Sequence, residues 1–170
     1  MKLDNTHVLI TGAASGIGQA MALELAAMGC TLELVDHNSF GLQATQALLA
    51  PYPVRVYLHT MDLAEEAQIQ QLWKGLARSK RQVQVLINNA GVALIGQFNE
   101  ISAHDFDWLM RINFHAVVSM TRHYLQQHDM KSPGHIVNLS SLFGLIAPPE
   151  QTAYAASKFA MRGFSQSLSH

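Results

Sequence analysis

The sequence is short of charge and nearly free of cysteine. Only 14% of its 170 residues are Asp, Glu, Lys or Arg, against roughly 25% in an ordinary soluble domain. Eleven basic and twelve acidic side chains almost cancel, leaving a formal net charge of -1. A chain so balanced exerts no general pull on nucleic acid or anionic lipid. Its basic residues are scattered and form no binding tract. Cys30 stands alone, which excludes an intramolecular disulfide and fits a reducing compartment. Long apolar runs are missing as well. The opening MKLDNTHVLI has only Val8 to Ile10 before Thr11, too short for the apolar core of a signal peptide. No stretch approaches the roughly 20 apolar residues of a membrane span. The expectation is a soluble, cytoplasmic protein with neither nucleic acid nor membrane as partner. At 49% hydrophobic the chain is not disordered, and residues 1–170 suffice for a single domain with a full core.

What is present is an alternation. Short β-branched runs at His7–Thr11, Thr31–Val35, Val54–His59, Val83–Asn88 and His135–Leu139 read as strands. Amphipathic stretches near 16–28, 40–49, 65–78, 103–128 and 152–168 read as helices. Strands separated by helices make βαβ units and a parallel sheet. Runs such as VLI, LELV and IVNL read as nearly continuous apolar runs, as expected of strands covered on both faces. The fold class is therefore α/β, a doubly wound parallel sheet of about five strands.

The first strand runs into Thr11-Gly12-Ala13-Ala14-Ser15-Gly16-Ile17-Gly18. A strand-to-helix turn of this kind aims free backbone N–H groups, and the positive end of a helix dipole, at an anion above the sheet. Gly12, Ser15, Gly16, Ile17 and Gly18 are the candidate phosphate-binding residues. The second strand ends at Asp36, 24 residues after Gly12, near the roughly 20-residue spacing of a ribose-binding acid. A carboxylate there accepts hydrogen bonds from ribose hydroxyls and repels a 2′-phosphate. Between Leu3 and Val54 there is no Lys or Arg, and only His7 and His37 offer even a partial cation. A 2′-phosphate would need one, so the expected cofactor is NAD rather than NADP.

Further along come Asp62-Leu63, Asn88-Asn89-Ala90-Gly91, Asn113, Ser140-Ser141 and Tyr154-Ala-Ala-Ser-Lys158. With the T-G-x-x-x-G-x-G form of Thr11–Gly18, these motifs, in this order, resemble the short-chain dehydrogenase/reductase family of classical type. The resemblance covers essentially the whole chain. It implies a Rossmann-like fold and hydride transfer between an alcohol and a ketone or aldehyde. It implies adenine contact by Asp62 and Leu63, and cofactor contact by Asn89, Ala90 and Gly91. It makes Tyr154 the acid/base. Lys158 orients the nicotinamide ribose and favours the phenolate. Ser141, thirteen residues before Tyr154, polarises the substrate oxygen, and Asn113 helps hold a proton-relaying water. It also implies a homodimer or homotetramer formed through helices 103–128 and 152–168.

The residue types agree with those roles. Tyr154 and Lys158, at i and i+4, share a helix face. A free phenol titrates too high to serve as a base at neutral pH, and a neighbouring ammonium stabilises its phenolate. Ser140 reads as a strand-end cap, and Asn113, a mediocre helix former, reads equally as an exposed helix residue. Leu142, Phe143, Leu145, Ile146 and Ala147 read as an apolar pocket wall, Trp73 and Trp108 as core or interface aromatics. The nine histidines form no H-x-x-x-H pair, and His59, His104, His135 and His170 stand apart; no metal site is expected. Family members are usually longer, so five of the usual seven strands are expected and a substrate-covering lid is not. A non-catalytic module that binds NAD or dimerises is the alternative; the joint presence of Asn113, Ser141, Tyr154 and Lys158 favours an enzyme.

Overall fold

The computed structural model describes residues 3–129 and 131–168, and His170 lies outside them. Its strands are β1 (His7–Thr11), β2 (Thr31–Asp36), β3 (Val56–Thr60), β4 (Val85–Asn88) and β5 (His135–Asn138). They form one sheet in the order β3-β2-β1-β4-β5, with every neighbouring pair parallel. The helices are α1 (Gly16–Ala27), α2 (Ser39–Leu49), α3 (Glu66–Arg78), α4 (Ala103–Met110), α5 (Ala116–Gln127) and α6 (Thr152–Leu168). The chain winds outward from β1 to β3, then returns to the other side of β1 for β4. This is the Rossmann-like, doubly wound sheet, and its switch point lies between β1 and β4, where such folds bind ligands.

Alternate strand residues point to opposite faces, and both faces are covered. Val8 and Ile10 of β1, Leu32 and Leu34 of β2, and Val85 and Ile87 of β4 pack against α1 and α2. The buried positions of α1 are Gly18, Ala22 and Ala26, one turn apart, so this helix lies close on the sheet. On the other face Leu9, Val35 and Leu86 meet Ile69, Leu72, Trp73 and Leu76 of α3 and Met120 and Tyr124 of α5. Among the described residues no helix is long and apolar enough to cross a membrane.

Two strands begin later than their patterns predict. Val54 donates its N–H to the Tyr52 carbonyl at 2.8 Å, so Tyr52-Pro53-Val54 is a tight turn and β3 starts at Val56. Pairing of β4 with β1 starts at Val85 opposite Val8. The predicted helix 103–128 is not continuous either: a π-helical turn, Arg111–His115, separates α4 from α5. Such turns place one extra residue inside a helix, often at functional sites. Here that turn contains Asn113.

The apolar run of β2 hides a charge. Glu33 is fully buried. Its carboxylate accepts from His7 Nε2 at 2.8 Å, His59 Nε2 at 2.5 Å and the Arg81 guanidinium at 3.0 and 3.1 Å. Arg81 also lies 4.1 Å over the Tyr57 ring. Burial pushes the Glu33 carboxyl up, but hydrogen bonds from His59 and His7 and the positive charge of Arg81 outweigh it and hold the group below the usual range. His59, set apart in the sequence, is therefore bound to this core carboxylate. No cluster of three or more His, Cys, Asp or Glu able to hold a metal occurs among the described residues.

Candidate active site

The turn after β1 is built by close approach. Gly12 has φ +69°, and a Cβ there would meet Ala90 Cα and Asn89 Nδ2 at 2.8 Å. A Cβ on Gly18 would sit on the Gly12 carbonyl. Neither contact leaves room for a side chain, so the glycines hold β1, β4 and α1 together as well as shaping the turn. Asn89 closes the joint. Its side-chain amide donates to the carbonyls of Thr11 (2.9 Å) and Gly12 (3.1 Å). The backbone N–H groups of Asn89 and Ala90 donate to Thr11 Oγ1 at 3.0 and 3.1 Å.

Two further side chains fasten the turn. Asp36 Oδ2 accepts the N–H of Ala14 at 3.0 Å, while Oδ1 accepts that of Asn38 at 3.0 Å and lies 3.2 Å from His37 Nδ1. Thr45, buried on α2, donates to the Ala13 carbonyl at 3.0 Å and accepts from Gln19 Nε2 at 2.9 Å. Thr45 was missed from the sequence, because a threonine inside a helix carries no signal of which loop it reaches.

Above the switch point lies a cavity of about 600 Å³. Gly12, Ser15, Gly16 and Ile17 line one side, with Asp36, Asp62 and Leu63 beside them and Asn89, Ala90 and Gly91 opposite. Gly18 is buried and does not line it. Trp108 and Ile112 also line it. Trp108 was read as a core or interface aromatic; the structure places it at the cavity instead, where α4 and the π turn carry residues 108 and 112 on one face. Asp62 stands exposed at the rim, its Oδ1 accepting from Ala64 N at 2.8 Å.

Gly91 joins the cavity to the second half of the site. A Cβ there would lie 3.4 Å from Asn113 Oδ1 and 3.6 Å from Lys158 Nζ. Asn113 is not the exposed helix residue the sequence also allowed: it is fully buried. Its Oδ1 accepts from Val92 N at 2.8 Å, and its Nδ2 donates to Val92 O at 2.8 Å and Ser157 Oγ at 3.1 Å. The π turn brings this amide against a loop backbone 21 residues away, a contact with no local signature. Lys158 is 4% exposed and donates to the Leu139 carbonyl at 3.0 Å. Burial pushes its ammonium below the ordinary lysine range. The Lys158 nitrogen lies 5.6 Å from the centre of the Tyr154 ring.

Ser141 caps the turn that follows β5, a role separate from the strand-end cap expected of Ser140. Its Oγ accepts from Phe143 N at 3.2 Å and starts the 3-10 turn Leu142–Gly144. That leaves the Ser141 hydroxyl proton to donate elsewhere. The turn packs on α6, with the Phe143 ring edge-on to Tyr154 at 5.9 Å. Leu142, Leu145 and Ile146 are exposed beyond it, so they do not form a closed wall among the described residues. The structure thus brings the cavity, at Gly91, against Asn113 and Lys158, with Tyr154 beside Lys158 and the turn capped by Ser141 packed on the same helix.

Known proteins are similar to this chain in sequence and fold. SadH of Mycobacterium tuberculosis is 38% identical over 160 residues, covering 94% of this chain and 58% of that protein. A crystal structure of a short chain dehydrogenase/reductase from Burkholderia phymatum in complex with NAD superposes with a TM-score of 0.93 at 32% identity, covering 99% of this chain and 60% of the other. A metagenomic short-chain oxidoreductase in complex with NADP matches with a TM-score of 0.93 at 28% identity, covering 99% of this chain and 76% of the other. The chain spans about three fifths of the length of the first two. The profile of the short chain dehydrogenases matches residues 6–170. The glycine turn, the switch-point cavity and the Tyr154–Lys158 helix therefore belong to a member of the short chain dehydrogenase family.

Proposed function

We propose that the protein is an NAD(H)-dependent oxidoreductase that interconverts an alcohol with a ketone or aldehyde. The observation that carries this reading is the junction at Gly91, where the cavity of about 600 Å³ meets buried Lys158 and Asn113. The cavity fits a dinucleotide. Its floor is the glycine turn that leads into α1, and the first backbone N–H groups of a helix are free to bind a pyrophosphate. Ser15, Gly16 and Ile17 would hold the phosphates, Asp36 the adenosine ribose, and Asp62 and Leu63 the adenine. Asn89, Ala90, Gly91, Tyr154 and Lys158 would hold the nicotinamide half. When bound, the nicotinamide supplies or accepts the hydride.

The chain's own groups handle the proton. Tyr154 gives its phenolic proton to the oxygen as a carbonyl becomes an alcohol, and takes it back in the reverse direction. Ser141, whose hydroxyl proton is not used by its cap, donates to the same oxygen. Lys158, held at the Leu139 carbonyl, supplies positive charge beside the Tyr154 ring. Asn113 fixes the loop at Val92 against this helix.

Asp36 supports NAD over NADP. Both its oxygens already accept N–H groups at the turn, and its charge opposes a 2′-phosphate. Buried Cys30 is a free thiol, which supports a cytoplasmic setting. Phe159 on α6 and Leu125 on α5 are 42% and 38% exposed, which supports self-association through these helices as a homodimer or homotetramer. Sedimentation showing only single chains would overturn that association.

A thermal-shift titration with NAD⁺ and NADP⁺ tests the cofactor. A ligand that binds only the folded state stabilises it by about 4 kcal/mol at a thousand times its dissociation constant. A rise with NAD⁺ that exceeds the rise with NADP⁺, lost in Asp36→Ala, is the expected result. No rise with either would overturn the reading. Turnover is then followed as NADH formation with propan-2-ol, cyclohexanol and xylitol.

A further inference from the structure

Ser157 sits directly before Lys158 and is fully buried. A helix does not need a hydroxyl there, since alanine is the better helix former, and a buried hydroxyl is costly unless bonded. The Ser157 hydroxyl is bonded twice. It donates to the backbone carbonyl of Tyr154 at 2.7 Å and accepts from Asn113 Nδ2 at 3.1 Å. The same Asn113 amide clasps both backbone groups of Val92. One hydroxyl therefore ties three elements together: the Val92 loop, the π turn, and the turn of α6 that carries Tyr154 and Lys158.

We infer that Ser157 is a positioning residue, which sets Tyr154 and Lys158 against Asn113 through the hydrogen bond between its hydroxyl and the Asn113 amide. The inference rests on the function proposed above. Without the hydroxyl, one Asn113 N–H is left buried and unpaired, and such a group moves to find a partner. Motion of Asn113 loosens Val92 on one side and the register of α6 on the other. The glycine turn and Asp36 lie outside this chain of contacts, so the adenosine and phosphate contacts, and with them most of the nucleotide affinity, are expected to be kept.

The test uses Ser157→Ala, Asn113→Ala and the double variant of the full chain. Ser157→Ala removes one oxygen and adds no bulk. With whichever of the three alcohols the wild type oxidises fastest, kcat is expected to fall about tenfold, as for the loss of one buried hydrogen bond. The KM for NAD⁺ stays within about twofold. In the Asn113→Ala background the same substitution is expected to cost nothing further, because its partner is gone. A fully additive loss, an unchanged kcat, or a KM that rises in step would overturn the inference.

A second readout needs neither cofactor nor turnover. Amide hydrogen exchange at Val92, whose N–H is held by Asn113, is expected to quicken about tenfold in Ser157→Ala. The Ala90 amide, held by Thr11, stays as in the wild type. No change at Val92, or equal quickening at both amides, would overturn the positioning role. If the wild type reduces no NAD⁺ with any of the alcohols, the proposed function fails, and the exchange measurement alone decides the role of Ser157.

Discussion

The sheet is sealed at β1 and open at β5. Val8, Leu9 and Ile10 are fully buried, whereas β5 alternates exposed and half-buried residues and leaves Val137 42% exposed. The two halves of the candidate site inherit this difference. The nucleotide half is fastened by Thr11, Asp36, Thr45 and Asn89, all close to the buried strands. The catalytic half takes Ser141 from the end of β5 and Tyr154 and Lys158 from α6. Lys158 and Ser165 of α6 are bonded to Leu139 and Asn138, at the end of that same strand. Among the described residues β5 pairs with β4 alone. The candidate cofactor cradle thus rests on the buried strands, while the candidate catalytic residues are mounted on a strand that, among the described residues, is paired on one edge.

The strongest way to break the contrast is at Gly18. A Cβ there falls on the Gly12 carbonyl, so Gly18→Val is expected to cost about 3 kcal/mol or more in urea unfolding. It also abolishes the NAD⁺-induced thermal shift. Next comes the clamp beneath β2. Removing one partner of a buried ion pair costs about 3–5 kcal/mol; the remaining histidines on Glu33 place Arg81→Ala at the lower end, about 3 kcal/mol. The same clamp sets a pH dependence. The folded state holds the Glu33 carboxyl below its usual range, so the unfolded chain takes up that proton first as pH falls. Its contribution is full at neutral pH and is lost as pH drops from about 4.3 downward. Glu33→Gln should remove that acid-side slope from unfolding curves measured across pH. The smallest effect sharpens the comparison directly. Val8→Ala, in the sealed strand, should cost about 2 kcal/mol. Val137→Ala, in the open one, should cost under about 1 kcal/mol. Equal costs in equilibrium unfolding would mean that β5 is covered in solution.

The legible parts of the molecule are those where cause and effect are near in sequence. Asp36 and the i, i+4 pair of Tyr154 and Lys158 can be read because their partners lie within one βα unit or one helix turn, and the glycine turn can be read from its own spacing although Asn89 and Ala90, which pack on it, are distant. The parallel sheet follows from the alternation of strands and helices. The unread parts depend on distant partners. Asn113 looked like a helix residue of either face until Val92 supplied the backbone it binds. Glu33 passed as part of an apolar run because its neutralising groups come from β1, β3 and the segment after α3. Trp108 was misplaced because the predicted continuous helix gave no sign of the π turn. Ser140 and Ser141 differ by one position, and only the 3-10 turn shows which hydroxyl caps it.

The π turn also sets a phase. Each residue of an α-helix advances the face by about 100°, so one residue gained in Arg111–His115 rotates everything after it. Ahead of the turn, Trp108 points at the cavity; beyond it, Met120 and Tyr124 point at the sheet. The two segments keep separate clocks, and the extra residue is the offset between them.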